Sequence, residues 1–193
     1  MELRPTKSEE LFLSLGFNKF YDLFEELMND DFWEKDSWYR FSKVSQVFAV
    51  YTELLMYEPF TYVLNNIKQN RPPMESEIGG VLFKFVRNIL AHFPLYESWD
   101  TVWINKELVN WRKQGLTIDK FIKKYEGHHE IKYRFWEEEK KKMTYISIKF
   151  PKAYDDTKIY LKDIISEKDG VKFSLIMMKQ ILNTQVELVK EKT

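Results

Sequence analysis

Apolar side chains recur at spacings of three and four residues along most of the chain, the period of a helix with one face turned to a core. Leu11, Leu15, Phe20, Phe24 and Leu27 follow an opening at Ser8, Glu9 and Glu10, with a break expected near Gly16 and an end at Asn29 to Asp31. A second helix opens at Asp36 or Ser37 and carries Phe41, Val44, Val47, Phe48, Tyr51 and Leu54 as far as Tyr57. Glu58 precedes Pro59 and is biased out of the helical region, so a third helix is read over 61–70. The Pro72-Pro73 pair suits the first turn of a fourth, where Glu75 and Glu77 complement the helix dipole, and Pro94 cannot continue it.

Further helices are read over 98–111, closed by Gly115, and over 117–125, closed by Gly127. The charged run from Glu130 to about Lys142 reads as a solvated helix face with opposite charges one turn apart. Residues 143–150 are richer in β-branched side chains, and a short strand or the tail of the same helix both fit. Helices over 155–166 and 171–191, parted by Gly170, complete the pattern. It predicts an all-α protein, a compact bundle of about seven or eight helices in a single domain. Its core spans about residues 8–125, with a helical extension over about 130–191.

Composition narrows what such a bundle can do. The 193 residues are 44% hydrophobic and 31% charged, ordinary for a globular chain, and no Pro/Gly/Ser-rich stretch reads as a linker. Thirty basic and 30 acidic side chains cancel, which removes the global positive field of a non-specific nucleic-acid binder, so any RNA contact must be local. With no cysteine there are no disulfides, thiolate metal sites or thiol nucleophiles. Aromatics reach 17%, a surplus that fits self-association. The N-terminal residues lack an apolar signal core and no segment is long and apolar enough to span a membrane, so the expected location is the cytoplasm. Neither GxxxxGK[ST] nor GxGxxG occurs, nor any paired His/Cys spacing, and no cofactor or metal is expected.

One segment carries chemistry. The fourth helix is apolar almost throughout between Val81 and Phe93, yet includes Lys84, Arg87, Asn88 and His92. Helical geometry puts these four on one narrow stripe, with Asn88 and His92 a single turn apart. Buried unpaired, the stripe would cost a few kcal/mol, so it must meet polar partners, water, a ligand or its own copy in a second subunit. His92 stands where Pro94 ends the helix, and the negative end of the dipole favours the protonated imidazole there. Arg87 offers a planar, permanently charged fork suited to phosphate, and Asn88 an amide able to hold a hydroxyl, a phosphate oxygen or the imidazole. Together they make up a phosphodiester-cleaving set.

At Arg87-Asn88-Ile89-Leu90-Ala91-His92 the sequence resembles the HEPN superfamily, compact all-helical domains whose signature is Arg, a polar residue, three to five further residues and His near the end of a core helix. The resemblance covers these six residues strictly and the surrounding helical pattern loosely. It implies a metal-independent endoribonuclease, leaving a 2′,3′-cyclic phosphate and a 5′-OH, of the kind found in toxin–antitoxin and phage-defence systems. By the same resemblance Arg87 and His92 are the catalytic pair and Asn88 their support. It implies a homodimer with the two motif helices facing, and an antitoxin or other regulatory protein as a further partner. Lys84, a turn before Asn88, is the candidate for substrate binding. The alternative function is a non-catalytic helical module that binds RNA, a nucleotide or a protein.

Other candidates are weaker. His128 and His129 follow Gly127 and read as a solvated turn. Trp99, Trp103 and Trp111 fall at helical spacing and read as core or interface. Glu53 is a candidate ion-pair partner for Arg87. Lys140, Lys141 and Lys142, with Arg134 nearby, could help to hold an RNA backbone, although the preceding glutamates suit a self-neutralised helix better.

Overall fold

The computed structural model describes residues 5–70, 73–93, 95–111, 116–128, 130–137, 140–153 and 157–190. Its frame is helical: α1 (Lys7–Met28), α2 (Ser37–Leu55), α3 (Glu58–Gln69), α4 (Pro73–His92), α5 (Lys106–Trp111), α6 (Leu116–Tyr125), α7 (Leu161–Ile164) and α8 (Glu167–Lys190). Two small antiparallel sheets interrupt it, so the all-α expectation is corrected to mostly helical. One pairs β1 (Trp103–Ile104) with β4 (Ile159–Tyr160), and the other is a hairpin of β2 (Glu130–Glu137) and β3 (Lys142–Lys149).

Local chemistry sets the helix ends. Helix α1 starts before Ser8, because Thr6 and Glu9 form a reciprocal capping box: the Glu9 N–H donates to Thr6 Oγ1 at 3.3 Å and the Thr6 N–H to Glu9 Oε2 at 2.6 Å. Asp36 caps α2 by accepting from the Tyr39 N–H at 2.9 Å. Helix α3 begins at Glu58, earlier than the sequence suggested, because Pro59 falls in the first turn, where its missing N–H has no helical partner to lose. Nor does α1 break at Gly16. A Cβ there would lie 2.6 Å from Leu54 Cδ2, so the glycine serves the close approach of α1 to α2.

The bundle is assembled around α2 and α4. Helix α2 packs on α1, α3 and α4, α4 also meets α3 and α6, and α8 returns to close on α1 and α3. One buried cluster runs from Leu13 of α1 to Leu182 of α8, so the C-terminal part of the chain is built into the same core as the rest. Long-range polar ties reinforce it. Arg40 of α2 donates from Nε and Nη2 to Glu167 of α8, both at 3.2 Å, and from Nη1 to the Trp33 and Lys35 carbonyls at 3.1 and 2.7 Å. Burial pushes the Glu167 carboxyl above its usual range despite the pull of Arg40. The buried Trp99 indole donates to the Ile165 carbonyl at 3.0 Å, joining the turn after α4 to the start of α8.

The hairpin departs most from the sequence reading. Glu130 pairs with Lys149, Tyr133 with Ile146 and Glu137 with Lys142, so the charged run read as a helix is a strand. The reason is an alternation of period two: Ile131 and Tyr133 turn inward, while Lys132, Arg134 and Trp136 turn outward. Tyr133 packs edge-on against Phe173 of α8 with centroids 4.6 Å apart, and Ile146 and Ile148 are buried beside it. The turn closes through Lys141 at φ 49°, in the left-handed region. The segments read as helices over 98–111 and 155–166 are likewise shorter. Each contributes a strand to the β1–β4 pair, with α5 and α7 as brief helical remainders.

Candidate functional site

Helix α4 is surrounded by α2, α3, α6 and β2. Leu82, Phe85, Val86, Ile89 and Leu90 are buried, and Phe85 stacks on Phe121 of α6 with centroids 4.2 Å apart. Among the described residues of α4, those that face outward include the motif. Lys84 and Ala91 are exposed and Arg87 and His92 half-buried, while Asn88 lies deepest, at 8% exposure. Lys84, Asn88 and His92 rise at four-residue intervals, so the stripe spans about 12 Å along the axis.

Arg87 Nη1 donates to Asn88 Oδ1 at 3.0 Å. Adjacent helical residues diverge in direction, so this bond bends the long arginine stem across the surface and holds the guanidinium plane. It also gives the buried amide oxygen a partner, which removes a desolvation penalty of about 1–3 kcal/mol. His92 is the last residue of α4, and the Phe93 N–H donates to the Ile89 carbonyl at 3.0 Å, so regular helix geometry extends past the imidazole. A cation fork and an imidazole five residues apart on one helix, both reachable from solvent, can engage a phosphate and exchange a proton with a neighbouring hydroxyl.

The other candidates sort differently. Arg87 takes Asn88 as its hydrogen-bond partner, not Glu53. His128 is exposed at the end of the 126–128 turn, and His129 lies outside the described residues. The three tryptophans share no helix face: Trp99 is core, Trp103 sits in β1 and Trp111 is exposed at the end of α5. Lys140 pairs with Glu137 at 3.1 Å, with Lys141 and Lys142 beside it at the hairpin turn instead of along a helix. Among the described residues no group of His, Asp and Glu is placed to hold a metal ion, and no helix is long and apolar enough to cross a membrane.

No protein-family model, curated protein or solved structure matches the chain.

Helical reasoning overlooked the outward face of the hairpin. There Trp136 and Tyr145 stand 42% and 61% exposed among Lys132, Arg134 and Lys149. The signal was in the sequence. Reading 130–136 at period two instead of period 3.6 puts every charge and Trp136 on one side.

Proposed function

We propose that this protein is a metal-independent endoribonuclease of HEPN type, acting through Arg87, Asn88 and His92. The observation that supports the reading is the placement of these residues on the side of α4 that is open among its described positions, with Arg87 and His92 half-buried and Asn88 bonded to Arg87. The cation and the imidazole both stay within reach of solvent, where a ligand can meet them.

In this reading the ribose 2′-oxygen attacks the adjacent phosphorus and the P–O5′ bond breaks, giving a 2′,3′-cyclic phosphate and a 5′-OH. His92 takes the 2′-OH proton or protonates the departing 5′-oxygen; the two oxygens lie on opposite sides of the phosphorus in an in-line displacement, so one fixed imidazole does not reach both. A second copy of the motif, brought up across a homodimer contact, would supply the other proton step. Arg87 holds the phosphate and stabilises the charge that develops on its oxygens. Asn88 positions Arg87, and Lys84 meets the RNA backbone a turn away.

The test is cleavage of end-labelled RNA by the purified protein with and without EDTA, beside His92→Ala and Arg87→Ala. Cutting that survives EDTA, leaves cyclic phosphate ends and disappears in both variants while helix content is retained is the expected result. Variants that lose helix content or self-association instead would assign the stripe to structure, and the reading would fall to a non-catalytic interaction module.

A further inference from the structure

The outward face of the β2–β3 hairpin combines three features. Its first is an apolar surface with two rings: Trp136, Met143 and Tyr145 are exposed at 42%, 46% and 61%. Trp136 pairs with Met143 and Arg134 with Tyr145, which places Trp136 and Tyr145 on a cross-strand diagonal, at backbone positions about 7–8 Å apart. The second is charge. Lys132, Arg134 and Lys149 share this face with one carboxylate, Glu130, which a hydrogen bond from Ser147 and the flanking lysines hold below its usual range. The exposed Lys141 and Lys142 add positive charge at the turn.

The third is a cavity of about 260 Å³ where this face ends, between β2, α1 and α8. Trp136 forms one wall and Phe24 and Met28 another, while Lys179, Gln180, Asn183 and the carboxylate of Glu137, which is paired with Lys140, bring polar groups to it. The Lys179 ammonium sits 4.6 Å from the Phe24 ring centroid, so a cation stands beside an apolar slot. Two side-chain amides next to such a slot match the donors and acceptors along the edge of a base.

We propose that the hairpin face and this cavity form a binding site for single-stranded RNA. The rings stack on bases, Lys132, Arg134 and Lys149 meet phosphates, and one base enters the cavity beside Trp136. Interleaved lysines and rings favour this ligand over a protein partner, because protein contacts are depleted in lysine at their centres. A duplex would hide the base faces that the rings need, which selects the single strand. With zero net charge, only a local cluster of this kind can hold a polyanion. That the ligand is RNA rests on the ribonuclease reading; the stacking face and the cavity do not.

The experiment is fluorescence anisotropy of a short fluorescein-labelled oligouridylate with the full chain, in wild type and in His92→Ala so that binding is read without cutting. Trp136→Ala and Tyr145→Ala are each expected to raise Kd about 5- to 100-fold. Trp136→Phe should stay near wild type, and Lys132→Gln with Arg134→Gln should flatten the salt dependence by roughly 0.7 in log–log slope per charge. All these positions face outward, and circular dichroism melting is expected to be unchanged in each variant. Unchanged Kd in the alanine variants, absence of binding by the wild type, or equal affinity for a duplex would overturn the site. So would loss of self-association in sedimentation with RNA binding intact, which would make the face a protein contact. Cutting that does not depend on the hairpin sinks this proposal and leaves the nuclease reading standing. Binding that depends on the hairpin, with no cutting, does the reverse.

Discussion

Helix α4 and the β2–β3 hairpin both turn cationic side chains toward solvent, but they are supported in opposite ways. Four elements surround α4, and its polar stripe lies on the side that is open among its described positions. The hairpin packs on the protein through Tyr133, Ile146 and Ile148, while Lys132, Arg134, Tyr145 and Lys149 on its other face are exposed. A helix held on several sides fixes a few groups closely, as proton transfer requires. A two-stranded ribbon held on one side offers a broad surface that tolerates adjustment, which suits binding better than chemistry.

The contrast can be broken or sharpened by substitution, starting with the largest effect. His92→Ala is expected to lower RNA cleavage by about 10²- to 10⁴-fold at a melting temperature near wild type, measured by single-turnover cleavage beside calorimetry. A large fall in stability at similar activity would put the stripe with the core. Within the hairpin, Tyr133→Ala should destabilise the protein by about 3 kcal/mol in urea titration, because a ring 2% exposed and packed on Phe173 leaves a cavity. Tyr145→Ala, on the opposite face, should cost less than about 0.5 kcal/mol, and equal losses would mean that the two faces are not as different as their burial.

Asn88→Ala removes a buried amide and frees the Arg87 fork, and about 1–2 kcal/mol of stability should go with it. Cleavage should fall along with that stability, and an Asn88→Ala chain that cuts at the wild-type rate would leave Asn88 no positioning role. The smallest effect is acid loosening of the hairpin. Burial pushes the Glu137 carboxyl up, but the Thr144 hydroxyl and Lys140 outweigh it and hold the group below its ordinary value of 4.5. A lowered folded value contributes stability above the unfolded value that is lost as pH falls through the folded one. Amide exchange in 142–149 should therefore quicken below about pH 4.5 ahead of exchange in α4, and Glu137→Gln should abolish that pH dependence. Exchange in both segments quickening together would show one cooperative unit.

Legibility in the sequence followed the period of each pattern. The long helices were readable because apolar residues at period 3.6 continue across α2 and α8, and the stripe on α4 was readable because its polar residues share that period. Capping moved boundaries without changing elements, as at Thr6 and Glu58. Gly16 misled because the meaning of a helical glycine depends on the neighbour, and Leu54 lies 38 residues away in sequence. The hairpin was hidden by its charges: Glu and Lys at adjacent positions mimic a helical salt-bridge face, while the deciding fact, that Tyr133 meets Phe173, is a tertiary one. The short β1 and β4 strands have no local signal at all, since their pairing joins segments more than 50 residues apart.

The Trp99 indole bond to the Ile165 carbonyl, with the buried Phe173, Leu175 and Met178 that follow, bears on the order in which the molecule comes into being. During synthesis the indole's acceptor and the helix that closes the core are made some 70 residues after Trp99. Such distant closures are slow in comparison with helix formation. The core cluster that begins at Leu13 is therefore completed only once α8 has been made.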